Sequence, residues 1–189
     1  MAITGIVGVR GAILNYDSKS YSSTFHIGDA MAANITVTMA EGSLYANNVR
    51  KEHKQKFDNG SIELGVDDLL DTTLVTMLGH STKTVGSGTA TTTVNVSKVT
   101  DVAPELGVGF YQTVTRNGSD KYRVIILKRV QFAEPQDNAE SANNSINMSG
   151  RTTTGTILGD KDGEWKLDVT VDSVAKAEAV LDAVLGAES

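Results

Sequence analysis

The 189-residue chain contains no cysteine, which excludes a disulfide framework and thiolate chemistry and fits assembly in a reducing cytosol. No apolar run approaches the ~20 residues that a membrane-spanning helix needs. The first residues, MAITGIVGVRGAILNYD, are interrupted by Gly5, Gly8 and Arg10 before they reach the length of a signal peptide. We therefore expect the mature chain to begin at or near Met1 and to have no membrane partner.

Positive charge is also scarce, because 17 Lys and Arg stand against 23 Asp and Glu and leave a formal charge of −6. A general nucleic-acid binder would need clustered Lys and Arg for its phosphate contacts. The acidic balance instead suits a surface that must not adhere to DNA. The apolar fraction of 40% is that of an ordinary globular domain large enough to bury a core.

The chain does contain the alternation that is typical of β-strands with one buried face. NITVTMAE (34–41) and SIELGV (61–66) both alternate apolar and polar residues. The stretch 105–132 predicts a hairpin that turns at Asn117-Gly118. The second strand of this hairpin has apolar residues on both faces, which predicts a central strand covered on both sides.

The remaining segments are less regular. Residues 81–98 are rich in Gly, Ser and Thr and predict a surface excursion with one edge strand, and AEPQDNAESANNS (133–145) predicts a polar loop. INMSGRTTTGTIL and EWKLDVTV predict a last hairpin around GDKDG. Its inward-facing residues would be Trp165, Leu167, Val169 and Val171.

Two helices are predicted. The first runs from about Asp67 to Leu78, with Asp67 or Asp68 as its N-cap, a stripe of Leu70, Leu74, Met77 and Leu78, and Gly79 just past its end. The second is amphipathic and lies in DSVAKAEAVLDAVLGAES, with a stripe of Val174, Ala177, Leu181 and Val184 or Leu185. The fold class is therefore mainly β: a β-sandwich or rolled barrel of about seven to eight strands, with one flanking helix and a C-terminal helix.

No segment predicts catalytic chemistry. His26, His53 and His80 belong to different elements, so we expect surface histidines rather than a metal site. GDKDGEW lacks the later ligands of a calcium loop and is better explained as a turn. VGSGTATTT lacks the Lys of a phosphate-binding loop, and no Gly-x-Ser-x-Gly elbow occurs. We expect neither an enzyme nor a cofactor.

Residues 42–59 lose the strand periodicity and gather Arg50, Lys51, Lys54 and Lys56 around Glu52. We interpret this stretch as a long loop. A solvated loop would explain the basic residues, and so would a contact with an acidic patch on another copy of the same chain. A nucleic-acid contact would need more interleaved aromatic residues than Tyr45 and Phe57.

Several co-linear stretches resemble a known family. GSLYANN, FDNGSIELGVDDL, MLGH, LGVGFYQTVTRNGSDKYRVIILKRVQFAEP and DGEWKLDV fall in the order of the phi13-type major tail proteins of long-tailed bacteriophages. The resemblance spans about Gly8 to Val171. It implies a virion protein, assembled in the bacterial host cytoplasm, whose hexameric rings stack into the tail tube through which DNA is ejected.

The resemblance also implies a residue-level scheme. Residues 1–171 would be the tail-tube β-sandwich. The C-terminal helix in 172–189 lies beyond the stretch that resembles the family, and we expect it to be an addition that packs outside the tube. The loop 42–59 would reach the neighbouring ring; its candidate contact residues are Leu44, Tyr45, Arg50, Lys51, Glu52, Lys54, Lys56 and Phe57. Candidate lumen-facing acids are Glu63, Asp160, Asp162 and Asp168. The expected partners are further copies of the chain, a tail-tip or initiator protein, a tape-measure protein, a tail terminator, and DNA that passes without specific binding.

Two alternatives remain open at this point. One is a β-sandwich module that decorates a virion or binds a glycan, although aromatic residues make up only 5% of the chain. The other is the tube protein of a related contractile or secretion system, which would share the tube architecture.

Overall fold

The computed structural model describes residues 2–46, 49–87, 90–116, 118–135 and 150–186. Within them, the chain is mainly β, with ten strands and two helices. The elements are β1 (Ala2–Asn15), β2 (Ser20–His26), β3 (Ala30–Ala46), β4 (Val49–Val66), α1 (Asp71–Leu78), β5 (Ser81–Ser87), β6 (Ala90–Val96), β7 (Leu106–Arg116), β8 (Ser119–Phe132), β9 (Arg151–Ile157), β10 (Lys166–Val171) and α2 (Val174–Leu185).

Strand β8 is the centre of an antiparallel eight-stranded sheet with the order β2-β1-β7-β8-β9-β4-β3. One edge of β8 pairs with β7 from Leu106↔Val130 to Arg116↔Ser119. Its other edge is shared, because β10 pairs with the first part of β8 and β9 pairs with the end. The eight strands confirm the predicted number, and the β7–β8 hairpin turns at the predicted place, with Gly118 at a φ of 75°. Asn117 itself lies outside the described residues.

The sheet folds into a sandwich because strands β9, β4 and β3 turn over the layer that contains β7 and β8. Ile62 and Leu64 of β4 pack in one buried cluster with Phe110 of β7 and Ile125 of β8, although β4 pairs with neither β7 nor β8. This cluster holds most of the buried apolar side chains, and burial of apolar surface is the main stabilising contribution to such a fold.

The second face of the central layer is covered by α2. Val124 and Ile126 of β8 alternate with the core-facing Ile125 and pack against Leu181 of the helix. The prediction that β8 is covered on both sides is therefore confirmed. Helix α2 begins after Ser173, whose side chain accepts a hydrogen bond from the Lys176 N–H.

The helix stripe of α2 differs slightly from the prediction. Ala177, Leu181 and Leu185 are fully buried, as predicted, whereas Val174 is 41% exposed. Leu181 and Leu185 approach β7 at Gly109, where an added Cβ would lie 2.6 Å from the Leu181 Cδ2 atom and 2.8 Å from the Leu185 Cδ1 atom. The absence of a side chain at Gly109 thus lets the helix lie close to the sheet.

Helix α1 begins later than predicted, at Asp71, and the predicted aspartate cap is wrong. Leu70 occupies the N-cap position without a side-chain hydrogen bond. The Asp67 carboxylate instead accepts a hydrogen bond from the Asp29 N–H at 3.0 Å. Leu70 is exposed, and Met77 and Leu78 are buried as predicted. Gly79 ends the helix with a φ of 71°, as predicted.

The predicted loop at 42–59 is wrong for residues 42–46 and 49–59, and Asn47 and Asn48 lie outside the described residues. Residues 42–46 and 49–59 belong to β3 and β4, which form one long antiparallel hairpin from Ala30↔Val66 to Ala46↔Val49. Strand β9 covers β4 only from Gly60 to Val66. Beyond that point the two strands continue as a ribbon with no third strand among the described residues, and we call residues 38–59 of this ribbon the arm.

Two further predictions are corrected by the sheet pairing. Residues 81–98 contain two paired strands, β5 and β6, rather than one. The predicted last hairpin is wrong, since β9 and β10 both pair with β8 and not with each other. Leu167 and Val169 were expected to face inward, but they are 37% and 43% exposed because α2 covers only part of their face. The predicted polar loop falls mainly in 136–149, outside the described residues.

Candidate functional site

The arm is the most distinctive surface of the described chain. All side chains described from residue 41 to 56 are exposed, as expected for a two-stranded ribbon that has solvent on both faces. At about 3.3 Å per residue, strand β3 alone extends roughly 25–30 Å from Thr38 to the tip. The side chains of Tyr45, Ala46 and Val49 are outside the described set, and so are Asn47 and Asn48.

The arm differs from the rest of the chain in charge. It holds four of the 17 basic residues and three of the 23 acidic ones, so the remainder, with 13 Lys and Arg against 20 Asp and Glu, has a formal charge of −7. The basic residues lie on β4 alone, where Arg50, Lys51, Lys54 and Lys56 surround Glu52. In this part of the arm, His53 shares a hydrogen bond with Ser43, and the Gln55 side chain donates to the Glu41 carboxylate.

Most of the predicted loop residues lie together on this arm. Leu44 is 59% exposed and stands opposite Glu52 in the register. Phe57 is the exception, because it is half-buried and lies at the base of the arm. Its ring stacks on Trp165, with the centroids 4.6 Å apart and the ring planes 2° from parallel. The Lys166 ammonium lies over the same Trp165 ring at 5.7 Å.

The outer edge of β3 forms a second unusual surface, since β3 ends the order of the large sheet. Its sequence, AMAANITVTMAEGSLYA, contains no Lys, Arg or Pro and a single acid, Glu41. The extra residues at the two irregular positions in the arm belong to β4, so β3 keeps a regular register from Ala32 to Tyr45. Edge strands are normally protected by charges, prolines or bulges, and β3 has little such protection.

The opposite edge of the sheet is better protected. Strand β2 is short and irregular, with Ser23 at a φ of 52° opposite a break in the register with β1. Its Thr24 hydroxyl donates to the Leu185 carbonyl at the end of α2. The edge of β3 is therefore the one better suited to pairing with another strand.

The four candidate lumen acids are not brought together. Glu63 is exposed on β4, opposite Asn34 and Thr154. Asp168 on β10 forms an ion pair with Arg123 at 2.8 Å, and Asp162 pairs with Lys19 at 2.6 Å.

Asp160 does not fit a lumen-facing role, because its side chain is only 7% exposed and pairs with Lys128. Burial opposes ionisation of Asp160, but the hydrogen bonds from Lys128 and from the N–H groups of Glu164 and Asp162 outweigh it and lower the pKa of the carboxyl. Burial likewise opposes the charge on Lys128, whose carboxylate partners raise its pKa above the usual value.

The turn GDKDG (159–163) contributes Asp160 and Lys161 to a shallow pocket. The pocket is also lined by Leu14, Tyr16, Lys19, Tyr21 and Lys128. Burial raises the pKa of Tyr21 to about 12. The Tyr21 hydroxyl donates to the Lys128 carbonyl at 2.8 Å. Lys128 pairs with Asp160, Lys19 with Asp162 and Lys161 with Asp17, and these ion pairs hold the turn GDKDG in place.

The three histidines have separate partners in the fold. His26 lies near Asp29, His53 bonds to Ser43 on the arm, and the side chain of His80 is 3.1 Å from Glu134. Over the part of the chain that the structure describes, no three His, Cys, Asp or Glu residues are grouped so that they could hold a metal ion. None of the described helices has both the length and the apolar composition needed to cross a membrane.

A buried arginine paired with two partly exposed carboxylates, which the sequence did not reveal, fastens α2 to the sheet. Arg10 of β1 is 5% exposed, and its guanidinium donates to the carboxylates of Glu178 and Asp182. Burial, and then a hydrogen bond with Glu178, raise the pKa of the neighbouring Tyr111. The single Arg in the apolar sequence of β1 was the available signal for this contact.

No family model matches the chain, and no curated protein matches it.

Proposed function

We propose that this chain is the structural subunit of a bacteriophage tail tube, which self-associates into hexameric rings that stack into a conduit for DNA. The co-linear sequence stretches support the class of protein. The observation that carries the proposal is the arm, since a basic, two-stranded ribbon projecting from an acidic sandwich is suited to contact another subunit.

The unprotected edge of β3 supports the ring. Unpaired N–H and C=O groups along a regular edge invite a strand from a second chain. Closure of a ring would satisfy the edges of every subunit in turn and remove the risk of uncontrolled aggregation. Val37 and Met39, which are 37% and 44% exposed on this strand, would become covered in such an interface.

The charge balance supports the conduit. A tube for DNA should repel phosphate and offer no specific contact, and the chain outside the arm is strongly acidic. Three of the four acids predicted to line the lumen are in ion pairs, and Glu63 is the one without a salt bridge among the described residues. The exterior position of α2 is a further part of this proposal.

A glycan-binding module is less well supported. The only tryptophan, Trp165, has its ring covered by Phe57 and approached by Lys166, so it offers no free face to a sugar. A tube protein of a related secretion system would have the same arm and the same exposed β3 edge. The sequence resemblance is what favours a phage tail protein over a secretion-system protein.

Sedimentation velocity over a range of protein concentrations tests the proposal. We expect a species of about six times the 20.0 kDa chain mass, followed by larger assemblies. Replacement of Arg50, Lys51 and Lys54 by Glu should leave the circular dichroism spectrum and the six-fold species unchanged and suppress the larger assemblies. A chain that sediments as a monomer at every concentration would contradict the proposal.

A further inference from the structure

The β3–β4 ribbon ends in two surfaces of opposite charge. One end is the arm. At the other end Ala30, the first residue of β3, pairs with Val66, the last residue of β4. Asp29 immediately precedes this end of the ribbon and Asp67 immediately follows it. Their backbones are joined, since the Asp67 N–H donates to the Asp29 carbonyl at 3.0 Å.

Four aspartates meet at this second end, which we call the acidic pole: Asp29, Asp67, Asp68 and Asp71, all of them exposed. The basic groups at the acidic pole are fewer. Arg151 stands beside Val66 in the register, and His26 lies 3.4 Å from Asp29. Leaving His26 aside, four negative charges face one positive charge here, whereas on the β4 strand of the arm four positive charges stand with two negative charges, those of Glu52 and Asp58.

Apolar side chains are uncovered at both ends as well. Met31 and Leu70, which adjoin the aspartates, are 62% and 61% exposed. On the arm, Leu44 is 59% exposed and Met39 is 44% exposed. Large apolar side chains surrounded by complementary charges are typical of a protein–protein contact, in which the apolar groups supply affinity and the charges supply register.

We propose that the arm of one copy docks on the acidic pole of a second copy, so that subunits join head to tail. This inference rests on the proposed function and names the surface that receives the arm. The partner is another copy of this chain because the two surfaces carry charge excesses of opposite sign and both expose large apolar side chains.

The geometry makes the contact directional. Lys54 lies about 35–40 Å along β4 from Val66, at roughly 3.3 Å per residue, so an arm cannot reach the acidic pole of its own chain. Each copy therefore gives one arm and receives another. A contact between two different surfaces is heterologous, and where its rotation does not close a ring its repetition builds a filament of fixed polarity.

Engineered cysteines test the contact directly, because the chain has no cysteine of its own. Lys54→Cys and Asp68→Cys are made separately and in one chain. A disulfide requires Cα atoms within about 7 Å, so the two positions cannot bond within one molecule. Under mild oxidation, we expect a mixture of the single variants to give at least about tenfold more dimer than either variant alone, and the double variant to give a ladder of multimers.

The outcomes separate the two proposals. Tubes in the electron microscope without selective dimers would overturn the head-to-tail contact and leave the tail-tube proposal in place. A ladder without rings would support the contact and overturn the tail-tube proposal. If neither ladder nor rings form, both proposals fail.

A charge exchange gives an independent test. The arm variant carries Lys51→Glu and Lys54→Glu, and the pole variant carries Asp29→Lys and Asp68→Lys, which spares the hydrogen-bonded Asp67 carboxylate. We expect each variant to need at least about tenfold more protein than the wild type to form filaments. A chain with all four substitutions should recover to within about threefold, because its surfaces are complementary again.

A control variant, Arg116→Glu/Lys176→Glu, carries the same charge change as the arm variant on exposed residues at the end of β7 and the start of α2, away from both the arm and the acidic pole, and it should assemble as the wild type does. If the arm bound a nucleic acid instead, the pole variant would assemble normally and the fourfold exchange would not recover. Either result would overturn the inference.

Discussion

Phe57 and Trp165 stack in parallel, 4.6 Å apart, at the point where the arm leaves the sandwich. Phe57 lies on β4 just before β9 begins to cover it, and Trp165 lies just before β10. The pair thus packs between β4, which continues into the arm, and β10, which stays in the large sheet. Both rings pack against the main core cluster, so the base of the arm is fixed to the sandwich.

Replacement of Phe57 by Ala should loosen the base of the arm. We expect a loss of about 1–3 kcal/mol of unfolding free energy, because the ring is half-buried and stacked. As Trp165 is the single tryptophan, its fluorescence should shift to longer wavelength as the ring gains water. Phe57→Leu serves as the control and should retain more of the stability. An unchanged emission spectrum in Phe57→Ala would contradict the stacked arrangement.

Neutralisation of the two acids on α2 should destabilise the chain strongly. In the variant Glu178→Gln/Asp182→Asn, the buried Arg10 loses both carboxylates, which should cost about 3 kcal/mol. The measurement is urea unfolding followed by circular dichroism. Adding Arg10→Met to the same variant should recover much of the loss, because no buried charge then remains. Equal stability of the double and triple variants would show that the ion pair is not what holds the helix.

The close approach of α2 at Gly109 predicts a steric effect. In Gly109→Ala, the new Cβ would press on Leu181 and Leu185, and overpacking of this kind costs about 1–3 kcal/mol. Gly42→Ala is a matched control on the arm, where an added Cβ meets nothing within 4 Å. We expect it to change the unfolding free energy by less than about 0.5 kcal/mol. An equal unfolding free energy of Gly109→Ala and Gly42→Ala would contradict the close approach of α2 to the sheet.

The Asp160–Lys128 pair predicts a dependence of stability on pH. The pKa of Asp160 is lowered from 3.8 in the folded state, so its contribution is present above pH 3.8 and is lost as the pH falls through the folded pKa. The pKa of Lys128 is raised from 10.5, so its contribution is present below pH 10.5 and is lost at higher pH. Between these limits the pair should give a constant contribution.

The variant Asp160→Asn tests this pair, since the amide oxygen can still accept the two backbone hydrogen bonds. We expect it to be about 1–2 kcal/mol less stable than the wild type at pH 7, with the difference shrinking below pH 3.8. Unfolding free energies measured from pH 7 to pH 3 give the comparison. The same difference at every pH would show that the charge on Asp160 contributes nothing.

The sequence predicted those parts of the fold in which burial imposes a pattern. Strand β8 packs against the core on one face and against α2 on the other. Both of its faces are therefore apolar, and this apolar run predicted a central strand. The β7–β8 turn was equally clear, because Gly118 supplies the positive φ that the turn requires. Helix α2 has one buried stripe, and its period was visible for the same reason.

The arm could not be predicted as strands because no face of it is buried. With solvent on both sides, residues 41–56 need no alternation of apolar and polar residues, and the periodicity that identifies a strand is lost. The positions of the basic residues were predicted, but the acidic pole was not, because Asp29 and Asp68 come together only through the pairing of β3 with β4.

Pairing between residues that are far apart in sequence explains the other wrong predictions. The sequence predicted a β9–β10 hairpin because a turn sequence joins the two strands. In the structure, each strand instead pairs with a different part of the same edge of β8. Asp67 looked like a helix cap, and its carboxylate is used by the Asp29 N–H instead. Such partners are distant in sequence, so local spacing does not identify them.

Negative-stain electron microscopy of the purified chain, concentrated in steps and incubated, tests the central claim most directly. The account predicts six-fold rings that give way to hollow tubes as the concentration rises. Dispersed monomers at every concentration would contradict a chain that builds a tube from copies of itself.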